Sequence, residues 1–373
     1  MNKSYFYLFS LLLLTITSAV YSANFCATTS AELQQALSTA ASNNQADIIK
    51  IRVGDYIVPS GGFKYQGADE DHGLEISGGW TLYFGNLCGL QFSYPLETIL
   101  DGDASARVLL LYAGTTTGDF KVSNLTFFNG YADNPWAGGL RFLSLGNFSG
   151  NFLLERSAFF NNEANWASAL LVEGGVSNSS KVTIRNNFFI NNHVEGGVGN
   201  HHTVRIEQGD GRGIYFTNNT LILNTAVSGF GDLSISLSGS AKAFVANNIF
   251  WDNDNNDLEF ITTANTTGVI YSYNNNIGTQ YGAADHSANN ISIPPLFEIS
   301  KSIYIPIPAA NSQMIDVGRH PPNILPFPVP FTQAWLLGET DFQGNPRVQG
   351  AKVDMGAYEA PPPADLIFAN GFE

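Results

Sequence analysis

The chain has 373 residues, 13% of them charged, and a formal net charge of −15. That charge repels nucleic acid and anionic lipid, so neither is an expected partner. Its 37 Gly, 27 Phe and 15 Tyr, with abundant Asn, Ser and Thr, are strand and turn composition.

Residues 1–22 read as a signal peptide: Lys3 gives the basic start, Tyr5 to Ile16 the apolar centre and Val20-Tyr-Ser22 the small-residue cleavage site. That centre is too short to span a bilayer, and no later run is longer, so transmembrane insertion is not expected. The reading is an exported protein, extracellular or on the cell surface. Lys3 is the one charged side chain in this segment, so its removal takes −15 to −16. Cys26 and Cys88 are the only cysteines, and export makes a disulfide between them the default, with free thiols the alternative.

Thr29-Ser-Ala-Glu32 has capping-box spacing, and Leu33, Ala36, Leu37 and Ala40 recur on one helical face. One short helix is expected there, covering the open end of a strand stack. Strand-like runs follow at 47–53, 72–77, 79–84, 98–103 and 108–112, broken by Gly and Asp.

From residue 119 to about 278 the chain repeats a unit seen plainly in Val182-Thr-Ile-Arg-Asn-Asn-Phe-Phe-Ile-Asn-Asn192. Aligned on Asn129, Asn161, Asn191, Asn224 and Asn253, the copies are 32, 30, 33 and 29 residues apart. A period in this range means stacked units that cannot bury their apolar faces alone. Each unit divides into three short strands. Asn suits the bends because it tolerates left-handed backbone angles, and stacked Asn side chains can hydrogen-bond along a ladder.

Residues 279–330 lose the period and are Pro-rich, which suits extended chain covering the last coils better than another paired strand. The domain boundaries expected are 1–22, 23–359 and a Pro-rich linker with a short tail at 360–373. The fold class expected is all-β: a right-handed parallel β-helix with an N-terminal capping helix and an irregular C-terminal closure.

The Val-x-Ile-x-Asn-Asn-x-Phe-x-x-Asn unit resembles the right-handed parallel β-helix proteins of the pectate-lyase-like superfamily. Three C-terminal blocks, Met314-Ile-Asp-Val-Gly318, Thr340-Asp-Phe-Gln-Gly-Asn-Pro-Arg347 and Gly350-Ala-Lys-Val-Asp-Met-Gly-Ala-Tyr-Glu359, look like the closing motif of the exported choice-of-anchor Q domain proteins. Cys26, the helix after it, Gly78-Gly-Trp80 and Cys88 are similar to the other end of such chains. The superfamily holds polysaccharide lyases, hydrolases and members without assigned activity, so the resemblance implies the fold and leaves catalysis open. The Asn-Thr-Asp, Asp-Asp, Gly-His-Gly and Arg-Ile-Lys blocks of polygalacturonase-type hydrolases do not occur in this sequence.

Aligning the coils places Arg141, Leu170, Arg205, Ser234 and Glu259 in one outward column, flanked by Asp232 and Asp257 on one side and by Val172 and Glu207 on the other. In a lyase, Arg205 would take the proton α to a uronate carboxyl beside carboxylate-bound Ca²⁺; Glu207 and Asp232 are the acid–base pair a hydrolase would need. Lyase ranks ahead of hydrolase. Arg141, His202, Glu259, Trp136 and Trp166 are candidate ligand contacts, the tryptophans as stacking platforms for sugar rings. Asp252, Asp254, Asp257 and Glu259 form an acidic run that is a candidate Ca²⁺ site, although it lacks the glycine and distal glutamate of a Ca²⁺ loop. His201-His202 points to opposite faces of a strand, a poor zinc pair, and is expected in a solvated loop.

The functional expectation is a non-catalytic scaffold that binds polysaccharide or another surface and requires no cofactor. The alternative is a polysaccharide lyase or related carbohydrate-active enzyme that uses Ca²⁺ on an acidic polysaccharide. No pattern sets an oligomeric state.

Overall fold

The computed structural model describes residues 22–362 apart from 68–70, 93, 115–116, 134–135, 145–147, 175–179, 196–200, 210, 227–230, 255, 263–265, 300–304 and 320–335. The expected signal peptide to residue 21, the prolines of 321–330 and the expected tail from 363 lie outside the described residues.

The chain winds as a parallel β-helix. Three long sheets run along the coil, with strands joined to their counterparts one turn away in parallel register. In one turn the chain passes through Phe152–Glu155 of the first sheet, Ala158–Phe160 of the second, and Ala167–Glu173 of the third. A two-residue strand, Glu163–Ala164, lies between the second and third and belongs to a short fourth sheet that the repeat alone did not reveal. Inward positions fill the core with apolar columns, as where Phe127, Phe159 and Phe189 stack at 4.5 and 4.8 Å between ring centroids.

The helix spans Ser30–Ala40, with Thr29 capping Glu32 N and Leu33, Ala36, Leu37 and Ala40 buried. The amide of Gln34 donates to Lys64 O and accepts from Lys64 N, so the helix occupies the open backbone edge of Phe63–Gly67. Cys26 and Cys88 are joined in a disulfide. Closing a loop of this length stabilises the fold by about 4 kcal/mol in the chain-entropy account.

The Asn-Asn pairs do two different jobs. The first member sits at positive φ in Asn186, Asn218, Asn247 and Asn274, where a bend requires a left-handed residue. Its side chain points outward. The second member is buried and builds a ladder: Asn187 Nδ2 donates to Asn219 Oδ1 at 3.0 Å, Asn219 to Asn248 at 3.2 Å, and Asn248 to Asn275 at 2.9 Å. Each Oδ1 also accepts the backbone N–H of the Asn one turn away.

A second ladder turns the next corner through Asn162, Asn192, Asn224 and Asn253. This corrects the alignment by one residue: Asn129, Asn161 and Asn191 share the positive-φ column with Leu223 and Asp252, whereas Asn224 and Asn253 belong to the buried ladder. The positive-φ spacings are therefore 32, 30, 32 and 29 residues.

The C-terminal region returns along the outside of the coil. Outward Tyr215, Phe244 and Tyr271 of the first sheet lie beneath Leu337 and Val353, and outward Phe188, Ile190 and Ile222 of the second lie beneath Ile305, Phe342 and Ala357. The positive-φ asparagines hold this cover: Asn186 Nδ2 donates to Leu337 O, Asn218 to Asp354 O, Asn247 to Arg319 O and Asn274 to Val317 O. One Pro-rich piece does pair, against expectation: Pro306–Pro308 runs antiparallel to Phe297–Ile299, and alternate donors suffice for so short an edge pair. The closing motif ends in a buried polar knot. Arg347 Nη2 donates to Asp354 O and Gly356 O and lies 3.5 Å from Glu359, whose carboxyl burial pushes up to about 8.

Asn219→Ala removes the acceptor of Asn187 N and Nδ2 and the donor to Ile184 O, leaving buried groups unpaired. Chemical denaturation is expected to show a loss of about 3 kcal/mol or more. Asn191→Gly, in the exposed left-handed column, is expected to change stability by less than about 1 kcal/mol.

Candidate functional site

The outward face of the third sheet carries the candidate residues. Its central column reads Leu110, Arg141, Leu171, Arg205, Ser234 and Glu259, set by direct strand register. The adjoining column reads Leu143, Glu173, Glu207, Ser236 and Ile261. Leu171 and Glu173 therefore stand where Leu170 and Val172 were expected. The cause is a register shift between Ala167 and Leu170, which adds one residue to that strand and moves everything after it to the other face. Ala167 to Val172 is wholly apolar apart from Ser168, so alternation gives no phase there. The charge of Glu173 was the available signal.

On this face the side chains form a stacked strip. The Arg141 guanidinium lies 3.6 Å from the Trp136 ring centroid, and that of Arg205 lies 4.7 Å from Trp166. The two indoles meet edge to face at 5.9 Å and both are half-buried. Arg141 Nε is 2.7 Å from Glu173 Oε2, and Arg205 is paired with Glu207. Both arginines are thus paired with a carboxylate and held over an aromatic ring.

Beside the strip the remaining candidates withdraw into the protein. His201 and His202 are buried, which corrects the solvated loop. His202 Nδ1 lies 2.7 Å from Gly231 O, and because a carbonyl only accepts, Nδ1 carries the proton. Its Nε2 faces Glu259 Oε2 at 3.4 Å. Burial holds the imidazole down at about 3 and pushes the Glu259 carboxyl up, so both shifts favour a neutral pair. Asp232 is also buried; it accepts from Thr203 Oγ1 at 2.9 Å, and desolvation raises its carboxyl well above the ordinary range. Asp257 is buried too, accepting from Asn253 Nδ2 and Thr279 N.

The acidic run is split. Asp252 and Asp254 are exposed while Asp257 and Glu259 are buried, since strand alternation and the bend at Asp252 send them to different sides. Among the described residues no group of three or more His, Cys, Asp or Glu side chains is placed to hold a metal ion. Arg205, Glu207 and Glu259 share the face, but Asp232 does not join them. Arg205 is engaged by the Glu207 carboxylate rather than placed to take a proton from a substrate. Glu207 is tied to Arg205 and Asp232 is buried under Thr203, so they do not form an exposed acid–base pair.

A trough of about 900 Å³ lies elsewhere, on the first sheet beside the end of the C-terminal cover. His72, Glu75, Lys121, Lys181, Arg185 and Leu336 are among its lining residues. Three of its charged residues are paired within the protein, Lys121 with Glu75 at 3.2 Å and Arg185 with Glu155 at 2.6 Å. Comparison with protein-family models, with curated proteins and with solved structures returns no significant match to this chain.

An imidazole that is neutral when folded and binds a proton near its ordinary value of 6.5 when unfolded makes stability depend on pH. The unfolded chain takes up this proton first, so the contribution is full above pH 6.5 and is lost as pH falls toward about 3. The raised carboxyls of Glu259 and Asp232 act in the opposite sense, favouring the folded state at low pH. Melting wild type and His202→Gln across this window isolates the histidine: the variant is expected to lose less Tm on acidification than wild type.

Proposed function

We propose that this protein is an exported or cell-surface β-helix scaffold that binds polysaccharide, without catalysis, along the outer face of its third sheet. The observation that carries this reading is the strip of half-buried Trp136 and Trp166, each stacked against an arginine and set one coil apart. Indoles held rigidly present apolar surface to sugar rings at little entropic cost, while the paired arginines and glutamates supply hydrogen-bonding groups around them. Repeated coils offer such contacts at a regular spacing, which suits a polymer of repeated sugars.

The charge distribution favours an uncharged chain over a polyuronate. Arg141 and Arg205 are already matched by Glu173 and Glu207, and the formal net charge of −15 repels a polyanion. The reading keeps the chain beside the exported choice-of-anchor Q proteins of the pectate-lyase-like superfamily. Support comes from the closing blocks, whose Arg347, Asp354 and Glu359 are the buried members of the polar knot. The disulfide suits an oxidising compartment, and no helix among the described residues is long and apolar enough to cross a membrane.

Titration against neutral glucans and mannans, with pectate and alginate alongside, tests the proposal. Neutral polysaccharide is expected to bind, and the Trp136→Ala, Trp166→Ala double variant to weaken binding at least about tenfold with the fold retained. Preferential binding of polyuronate, or release of unsaturated uronate ends with Ca²⁺ present, would contradict it.

A further inference from the structure

One antiparallel hairpin leaves the regular coil. The strand Leu74–Tyr83 turns back through Phe84 and Gly85 into Asn86–Gln91, with Trp80 opposite Gln91, Thr81 opposite Leu90 and Tyr83 opposite Asn86. Between Glu75 and Glu97 the sequence has no charged residue, in a chain whose formal net charge is −15. The apolar side chains of this hairpin are exposed: Leu82 by 53%, Tyr83 by 49%, Phe84 by 92%, Leu87 by 49%, Leu90 by 40% and Phe92 by 54%. A Cβ placed on Gly85 would meet no atom within 4 Å, so the tip stands clear of the described residues.

Phe84 is the least economical choice for this position. The two central residues of the turn have φ of +46° and +81°, the left-handed pattern for which Asn-Gly is the preferred sequence. A bulky aromatic residue is disfavoured there, and this one gains no burial in return. Neither the stability nor the solubility of the isolated chain accounts for it.

The hairpin is also fixed in place. Cys88 of its second strand is bonded to Cys26, Gln91 Nε2 donates to Gly78 O, and Lys50 lies over the Trp80 ring at 4.2 Å. An apolar tip is therefore presented on a rigid base, ready to bind without first being ordered.

The distribution of the apolar groups selects the occupant. Leu82 and Tyr83 are neighbours in one strand and both are half-exposed, as are Leu87 and Leu90 of the strand paired with it. A folded partner adding to the sheet would cover one side of the hairpin and leave the other wet. A fluid apolar medium surrounds a convex tip on every side. Aromatic residues with leucines and no charge are what the boundary between headgroups and acyl chains accepts. The acidic body disfavours an anionic bilayer.

We infer that the Leu82–Leu87 tip docks this protein on the interface of a membrane of uncharged or zwitterionic lipid, with the coil remaining in water. This stands apart from the polysaccharide reading, which concerns a different sheet.

Co-sedimentation of the full chain with phosphatidylcholine vesicles tests it. Wild type is expected to partition onto the vesicles, with little change when salt is raised severalfold. Phe84→Asn restores the preferred turn sequence and is expected to melt at or above the wild-type temperature while partitioning at least about tenfold less. Leu87→Ser, outside the turn, is expected to weaken partition in the same direction. All three chains carry the same N-terminal segment, so differences among them read the tip alone. Equal partition of wild type and both variants would overturn the inference, as would binding confined to anionic vesicles and abolished by salt. A wild-type dimer in sedimentation velocity that Phe84→Asn dissociates, without vesicle binding, would assign the tip to a second copy and overturn it equally.

Discussion

The structure depends on one repeated constraint: at the corner between the first and second sheets, a buried backbone N–H must find an acceptor where strand pairing is interrupted. The second asparagine of each pair supplies it. Asn187, Asn219 and Asn248 each receive an Oδ1 from the next coil on both their backbone and side-chain nitrogens. The same side chains return a proton to a carbonyl inside the coil, as Asn219 does to Ile184 O and Asn248 to Phe216 O. Four hydrogen-bonding needs of a dry corner are met by one residue type, which is why a two-residue asparagine signature recurs.

The first asparagine extends that constraint outward. Its left-handed backbone makes the bend, and its amide is left free to donate to the returning C-terminal chain at Leu337, Asp354, Arg319 and Val317. The cover then buries Tyr215, Phe244, Phe188 and Ile222, outward residues that would otherwise be an apolar surface. Of the three long faces, the first is partly covered and the second largely so. The third keeps the Trp and Arg strip. Function is therefore sought on the face that the described residues of the closure leave open.

The fold was legible in the sequence because the period, the bend asparagines, the capping box and the cysteine pair each carry an independent physical reason. The positions of single residues were less so. A run of apolar residues such as Ala167 to Val172 has no alternation, and one inserted residue shifted the column from Leu170 to Leu171 and brought in Glu173. At two corners the left-handed position is Leu223 or Asp252 and the asparagine beside it is the ladder member, so Asn224 and Asn253 entered the wrong column. Burial of Asp232, Asp257 and His202 was not legible either. Each is a polar residue whose partner, Thr203, Thr279 or Gly231, lies a coil away or in the next turn of chain. The exposed hairpin gave one signal, a charge-free stretch around Phe84-Gly85, which reads as strand and turn until its exposure is known.

The claim that asparagine side chains tie one coil to the next is tested most directly by hydrogen exchange at the corner amides. The backbone N–H groups of Asn162, Asn187, Asn192, Asn219 and Asn248 are bonded to side chains rather than to strand carbonyls. If the ladders join the coils, these amides exchange as slowly as those of Ile184 and Phe216 inside the neighbouring strands. Exchange at the rate of an exposed turn, with the strands still protected, would contradict the account.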